Sequence, residues 1–216
     1  MMTNLFSVFD PCTGLLSMNW TSTLIFCLMF PYKFWFNQNK ISIVNKLMMK
    51  SLKMEIKTIM PYKGTLLIML TMFMFILINN LMGLVPYVFT SSSHLVFSLT
   101  MALPLWTAFM IYGWFNKYNS MLTHLVPLGT PAMLTPFMVM IETVSNLIRP
   151  GSLAVRLTAN MIAGHLLMSL LGGSSSIIIM MSTMIIFMIL MLFEIAVSTI
   201  QAYVFMTLGT LYSSEI

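Results

Sequence analysis

Long apolar stretches that almost lack charged side chains constrain this chain more than any other feature of its sequence. The stretch 65–87 contains no charged residue, and the stretch 177–211 contains one, Glu194. A bilayer core is crossed by about 20 consecutive apolar helical residues. A helix is favoured there because it satisfies its backbone hydrogen bonds internally. The sequence therefore predicts an all-α integral membrane protein.

The low content of charged residues excludes the main water-soluble alternatives. Of 216 residues, 59% are hydrophobic and 7% are charged, against about 25% charged residues in an ordinary soluble domain. Too few polar side chains remain to cover a soluble surface, which excludes a soluble enzyme, a disordered chain and a nucleic-acid-binding protein. The formal net charge of +5 does not indicate nucleic acid, because seven of the eight lysines lie between Lys33 and Lys63, beside apolar runs.

The apolar stretches divide a single membrane domain, residues 1–216, into about five membrane helices and one interfacial amphipathic helix. The predicted membrane helices cover residues 15–30, 65–87, 94–115, 137–171 and 177–211, and the interfacial helix covers 40–60. The last two membrane helices, 137–171 and 177–211, are longer than a perpendicular crossing needs, so they are expected to tilt or bend. They are predicted to form a long tilted hairpin with a turn at residues 172–176.

A row of lysines predicts the interfacial helix. Lys46, Lys50, Lys53 and Lys57 are spaced by 4, 3 and 4 residues, which places them on one stripe of a helix. Lysines of this kind face water and lipid headgroups. Glu55 falls opposite the stripe, and it contacts either a partner subunit or the headgroups, of which the second is favoured. The positive-inside rule places the lysines on the side of synthesis, and five crossings then leave the N-terminus outside.

Polar and ionisable residues inside the apolar stretches are the candidate functional residues. A charged residue at a helix centre costs about 2.5–3.5 kcal/mol to insert, so it is retained where it has a role. Glu142, Arg149, Arg156 and Asn160 are separated by 7, 7 and 4 residues, and these steps keep them within about 40° of one another on a helix. His165 follows Arg156 by nine residues, about 180° around a continuous helix.

Arg156 lacks a local counter-charge. No acidic residue stands three or four positions from it, and a guanidinium stays protonated in proteins. Its anion must come from Glu194, from a backbone carbonyl or from a carboxylate of another protein. The alternative that Arg156 only packs against a neighbouring helix stays open. Because histidines and carboxylates in apolar surroundings exchange protons, a fixed cation with His165 and Glu194 indicates proton handling.

The remaining polar residues have simpler interpretations. Arg149 precedes Pro150 and is predicted to pair with Glu142 two turns earlier, in a mainly structural role. Glu194 and Gln201 are seven residues apart and share a helix face. Neither the two cysteines nor the loop histidines have metal-ligand spacing, so no metal and no cofactor are predicted.

One stretch closely resembles the signature of subunit a of F-type ATP synthases in its mitochondrial form, and it reads LAVRLTANMIAGH over residues 153–165. Further agreement lies in NLMGLVP at 80–86, in MALPLW at 101–106, and in Glu194 with Gln201. The resemblance covers nearly the whole chain. It implies one N-terminal membrane helix, an interfacial helix, two further membrane helices and a tilted hairpin that lies against a rotating ring of c subunits.

The resemblance also implies roles for individual residues. The family's essential arginine corresponds to Arg156, which would face the ring and separate two proton half-channels. The titratable pair on the path from outside corresponds to His165 and Glu194. Asn160 and Gln201 correspond to polar residues near the arginine.

Two further positions bear on the half-channels that the resemblance implies. Glu142 corresponds to an acid of the inner half-channel. Gly83 stands where many bacterial members carry an acid, which leaves Asn79, Asn80 and Thr100 to line the outer path through water.

The predicted function is therefore that of the proton-translocating stator subunit of F-type ATP synthase, a non-catalytic multi-pass protein of the mitochondrial inner membrane. Its expected partners are the c-subunit ring, other stator and membrane subunits, membrane lipids and the translocated protons. The alternatives are another proton-coupled carrier, a respiratory-chain membrane subunit or a structural anchor. A carrier working alone would be expected to close its own ion pairs, and an anchor would not need Arg156, His165 and Glu194.

Overall fold

The computed structural model is all-helical over the residues that it describes, which confirms the predicted fold class. It describes residues 5–12, 17–29, 39–60, 63–126, 129, 131, 133–173 and 177–214. Its α-helices are α1 (Ile25–Met29), α2 (Lys40–Ile59), α3 (Lys63–Gly83), α4 (Leu95–Asn116), α5 (Tyr118–Leu125), α6 (Thr135–Gly172) and α7 (Ile177–Ser214). Short 3-10 helices cover Leu5–Phe9, Met18–Leu24 and Ser91–Ser93.

Within the described ranges, four helices are long and apolar enough to cross a membrane, namely α3, α4, α6 and α7. The last two have 38 residues each, which corresponds to about 57 Å of helix. A bilayer core is only about 30 Å thick. Both helices must therefore tilt or extend beyond the hydrocarbon region, in line with the expectation for the hairpin.

The first predicted membrane helix, residues 15–30, is described only in part. Met18–Met29 forms a short apolar helical stretch, which begins as a 3-10 helix and continues as α1. The Thr21 hydroxyl donates to the Met18 carbonyl at 2.7 Å, and the Thr23 hydroxyl to the Trp20 carbonyl at 2.9 Å. Residues 15, 16 and 30, and residues 174–176 of the predicted turn, lie outside the described residues.

The helix ends differ from the predicted ends where turn residues intervene. α3 ends at Gly83 instead of residue 87, because Pro86 disfavours helical backbone at the preceding residue. Gly83 also lies close to the following loop, since a Cβ there would be 3.3 Å from Cγ2 of Thr90. The short helix α5 was not predicted.

The core is formed by side chains of α2, α3, α4, α6 and α7. α3 packs on α7, α4 on α6, and α6 on α7, while α2 contacts both α3 and α7. Ile76, Ala154, Leu157 and Phe205 are at most 1% exposed. Without a hydrophobic driving force between helices in lipid, such close packing is what holds a membrane bundle together.

The antiparallel order of the helices gives the bundle two ends. The end that holds Lys63, Lys117 and Ser213 is termed the inner end, because it carries the lysines that the positive-inside rule places on the side of synthesis. The end that holds Gly83 and His94 is termed the outer end. α6 runs from the inner end to the outer end, and α7 returns.

Candidate functional site

Arg156 lies on α6 with its side chain at the surface of the single chain. In the described part of the chain, no carboxylate pairs with it and no hydrogen bond of its guanidinium is formed. Glu194, one of the internal partners considered from sequence, lies against another residue of α6. An arginine inside an apolar helix therefore faces outward without a counter-charge from the described residues.

The helix surface around Arg156 carries small side chains. Ser152, Ala159 and Ala163 are exposed on α6 and lie within about 60° of Arg156 around the helix axis. Small residues on a membrane helix allow the backbone of a second helix to approach closely. The surface that carries the arginine therefore has the shape of a helix-packing face.

Glu194 is buried on α7, with 5% of the residue exposed. Its carboxylate lies directly against Gly164 of α6, so that a Cβ at this glycine would overlap the carboxylate atoms. The sequence pattern alone gave no role to Gly164. A glycine inside a helix costs about 1 kcal/mol relative to alanine, and that cost was the available signal for a close approach.

His165 follows Gly164 and is partly buried. Its ring meets the ring of Phe9 edge-on, with centroids 6.2 Å apart and an interplanar angle of 86°. The buried Nε2 atom has no hydrogen-bond partner among the described residues. The N-terminal 3-10 helix thus contacts His165 through Phe9, a contact that the sequence did not indicate.

A second group of buried polar side chains lies toward the outer end, and it is termed the outer polar cluster: Asn79, Asn80, Ser92 and His94. Asn79 and Asn80 are 5% and 0% exposed. In each of the four side chains, at least one buried polar atom lacks a hydrogen-bond partner within the described ranges. Buried polar groups in proteins are normally satisfied by protein or by ordered water, so this cluster has unused capacity for hydrogen bonds.

Thr100, also considered for the outer path, behaves differently. It is exposed, and its hydroxyl donates to the Phe97 carbonyl at 2.7 Å. His94 was not assigned a role from sequence, and its ring contacts the rings of Trp20 and Phe89 with centroids 5.3 and 5.2 Å away. The outer cluster is therefore bordered by aromatic rings.

Asn160 and Gln201 come together one turn from Arg156. The Asn160 Nδ2 donates to the Gln201 Oε1 at 3.1 Å and so joins α6 to α7. Gln201 is 4% exposed, and its Nε2 has no partner among the residues described. A hydrogen bond between α6 and α7 thus lies close to the arginine.

Toward the inner end, Glu142 and Arg149 form the predicted pair. The Arg149 Nη2 lies 3.8 Å from the Glu142 Oε1, and the guanidinium lies 5.1 Å from the centre of the Tyr212 ring. Both side chains line a cavity of about 510 Å³ between α4, α5, α6 and α7. His124 and Asn146 also line this cavity. The inner charges therefore border an open space and neutralise each other.

Two remaining predictions concern Glu55 and metal binding. The Glu55 carboxylate accepts a hydrogen bond from the Tyr203 hydroxyl at 3.2 Å, an interaction within the chain that neither interpretation from sequence included. Within the described ranges, no three His, Cys, Asp or Glu side chains come close enough to hold a metal ion.

Fold and site together define a class of protein: a multi-pass helical membrane protein that buries titratable groups in its bundle and presents an arginine outward. The sequence profile of the family described as ATP synthase A chain matches residues 15–214. ATP synthase subunit a of Locusta migratoria is 52% identical over 224 residues. The corresponding proteins of Drosophila melanogaster and Anopheles quadrimaculatus are 52% and 50% identical. Each alignment covers 100% of both chains.

The chain belongs to the ATP synthase subunit a family. It is accordingly a proton-translocating membrane subunit of the ATP synthase complex, and a multi-pass protein of the mitochondrial inner membrane.

Proposed function

We propose that this chain forms two proton half-channels against a ring of c subunits, with Arg156 facing the ring between them. The observation that carries the proposal is the exposed guanidinium with no counter-charge inside the described chain. A permanent cation in a membrane needs an anion. A ring of subunits that each carry a mid-membrane carboxylate would supply that anion repeatedly, and the small residues Ser152, Ala159 and Ala163 leave room for its helices.

The arginine acts on the ring carboxylate through its charge. A nearby opposite charge lowers the pKa of a carboxyl group by about 1–3 units. A ring carboxyl therefore releases its proton before it reaches Arg156, and it takes up another after passing. The same positive charge repels protons and prevents a direct leak between the half-channels. The membrane potential is worth about 2.3 kcal/mol per charge per 100 mV. Because the direct leak is blocked, this energy turns the ring and is not dissipated as heat.

The outer half-channel consists of the outer polar cluster together with His165 and Glu194. Glu194 and His165 are the groups on this path that exchange protons. The amide groups of Asn79 and Asn80 have unused hydrogen-bonding capacity, which suits a chain of water that carries protons inward from the outer end. Gly164 fixes where the Glu194 carboxylate can lie.

The inner half-channel is the cavity of about 510 Å³ that Glu142 and Arg149 line. Its size accommodates several water molecules, each of which occupies about 30 Å³ in the liquid. Glu142 is the acid that passes protons on this side, and Arg149 holds it in place. The Asn160–Gln201 bond keeps α6 and α7 in register beside Arg156. The chain itself catalyses no covalent step, and its proton flow is coupled to ATP synthesis elsewhere in the complex.

Disulfide cross-linking within the assembled complex tests the facing of α6. Ala159→Cys places a thiol on the exposed face beside Arg156, whereas Ala154→Cys places one at a position that is 0% exposed. Both are made in a background in which Cys12 and Cys27 are changed to Ser. A c subunit with a cysteine one turn from its carboxylate is expected to cross-link to position 159 and not to position 154. Equal cross-linking at both positions, or none at position 159, would contradict the proposed facing.

A further inference from the structure

Helix α2 presents three different faces around its axis. One face packs on α3 and α7 through Leu52 and Ile56, which are 8% and 2% exposed. The other two faces are exposed. The first carries the lysine row, defined here as Lys50, Lys53 and Lys57, at about 100–160° from Leu52. The second carries the apolar row, defined as Ile43, Leu47 and Met54, at about 180–220°.

The apolar row is well exposed, with 42% of Ile43, 63% of Leu47 and 62% of Met54 accessible. It runs directly beside the lysine row. A helix with an apolar strip next to a basic strip is typical of the membrane interface, where the apolar side chains enter the acyl region and the charges stay at headgroup depth. Long lysine side chains reach the headgroups while their stems remain in apolar surroundings.

The acid on the same helix does not neutralise the positive charge of the lysine row, because it lies on a different face. Glu55 lies at about 300° from Leu52, on the far side of the helix from the lysines. Its carboxylate is engaged by the Tyr203 hydroxyl at 3.2 Å. Among the described residues, no carboxylate pairs with Lys50, Lys53 or Lys57. The row thus offers three positive charges over about 10 Å of helix.

From these observations we infer that α2 is a binding site for anionic phospholipids of the inner leaflet. The lysine row contacts the phosphates of the headgroups, and the apolar row contacts the first segments of the acyl chains. Zwitterionic lipid would satisfy the apolar row alone, so the site selects lipids with net negative charge. The inference does not depend on the proposed half-channels, because none of these side chains lines either path.

Lipid selectivity of the full chain in nanodiscs tests the inference. The nanodiscs contain phosphatidylcholine with a small fraction of spin-labelled phosphatidylglycerol or spin-labelled phosphatidylcholine. Electron spin resonance measures the excess association of the anionic probe over the zwitterionic probe. The variant Lys50→Gln/Lys57→Gln is compared with Lys40→Gln/Lys117→Gln, which loses the same net charge at two exposed lysines outside the lysine row.

In the lysine-row variant, the excess association of the anionic probe is expected to decrease about threefold. In the control variant, this excess should stay close to that of the unmodified chain. An equal loss in both variants would contradict a defined site and indicate only a net-charge effect. No loss in the lysine-row variant would also contradict it. Displacement of the anionic lipid by inorganic phosphate at matched ionic strength would indicate a site for free phosphate and overturn the assignment to lipid.

The depth of the apolar row gives an independent measurement. A nitroxide label at Leu47→Cys, in the background without Cys12 and Cys27, is expected to collide with oxygen more often than with a water-soluble nickel complex. A label at Lys53→Cys is expected to favour the nickel complex. If the Leu47 label also favours the nickel complex, the apolar row lies in water and the proposed site is wrong.

Discussion

The two ends of the α6–α7 pair hold their charged groups in opposite ways. At the inner end, Glu142 and Arg149 are 3.8 Å apart, and their side chains are 38% and 27% exposed. At the outer end, Glu194 is 5% exposed and the Nε2 of His165 is buried. Neither outer group forms an ion pair or a hydrogen bond within the described part of the chain. The outer end therefore keeps its titratable groups available, while the inner end neutralises its charges locally.

This difference indicates which charges can be changed at low cost. A partly exposed ion pair contributes little, because water and salt already screen it. A buried ionisable group without a partner has no interaction that offsets the cost of placing it in the membrane, so its presence there indicates a function. Arg156 lies between the two ends and has neither a partner in the described chain nor burial within it. The predicted effects therefore decrease from Arg156 to the outer groups and then to the inner pair.

Arg156→Lys is expected to have the largest effect. An ammonium can lose its proton and lacks the planar fork of a guanidinium, so ATP synthesis should fall by about tenfold or more, equivalent to about 1.4 kcal/mol. The measurement is ATP synthesis driven by an imposed proton gradient in membrane vesicles that contain the assembled complex. Arg149→Lys is the matched control and should retain most of the activity. Normal synthesis in Arg156→Lys would refute the proposed role of the arginine.

Exchanging the outer pair is the next most informative change. His165→Glu and Glu194→His are each expected to lower proton flux, because each leaves two groups of the same type on the path. The double variant restores one acid and one imidazole, and its flux should exceed that of both single variants. Flux is measured by the fluorescence of a pH-sensitive dye during ATP hydrolysis in vesicles. A double variant that is no better than the single variants would show that the two groups do not share one path.

Gly164→Ala is expected to have an intermediate effect. The added methyl group would overlap the Glu194 carboxylate and displace it, so proton flux should fall several-fold. Gly151→Ala is a matched control on the same helix, since a Cβ there meets nothing within 4 Å. The control should gain up to about 1 kcal/mol of helix propensity and keep its flux. Equal flux in the two variants, with equal assembly on native gels, would contradict the close approach.

Arg149→Gln is expected to have the smallest effect. Exposed ion pairs contribute about 0.2–1 kcal/mol to stability. The substitution also removes the contact of the guanidinium with the Tyr212 ring. The temperature at which subunits dissociate from the complex should therefore decrease only slightly, with ATP synthesis reduced by less than about twofold. Glu142→Gln removes the proposed proton carrier and should reduce synthesis more. Identical synthesis in the two variants would indicate that the inner pair is only structural.

Much of the helical framework follows from local rules. Hydropathy over about 20 residues predicts the positions of α3, α4, α6 and α7, because a backbone in lipid must bond to itself. Helical spacing also predicts the Glu142–Arg149 pair, since both residues lie on one helix. Local rules fail at Met18–Leu24, which forms 3-10 turns and not α-helix, and at the short helix α5.

The sequence by itself determined that this is a helical membrane protein and that Arg156 has no counter-charge three or four residues away. Only the tertiary structure decided that Glu194 lies on Gly164, that Asn160 bonds to Gln201, and that Phe9 covers His165. The physical reason is that helical period fixes the side of a helix on which a residue stands. The rotation and depth of one helix against another depend on close packing between residues far apart in the chain, and no local pattern encodes them.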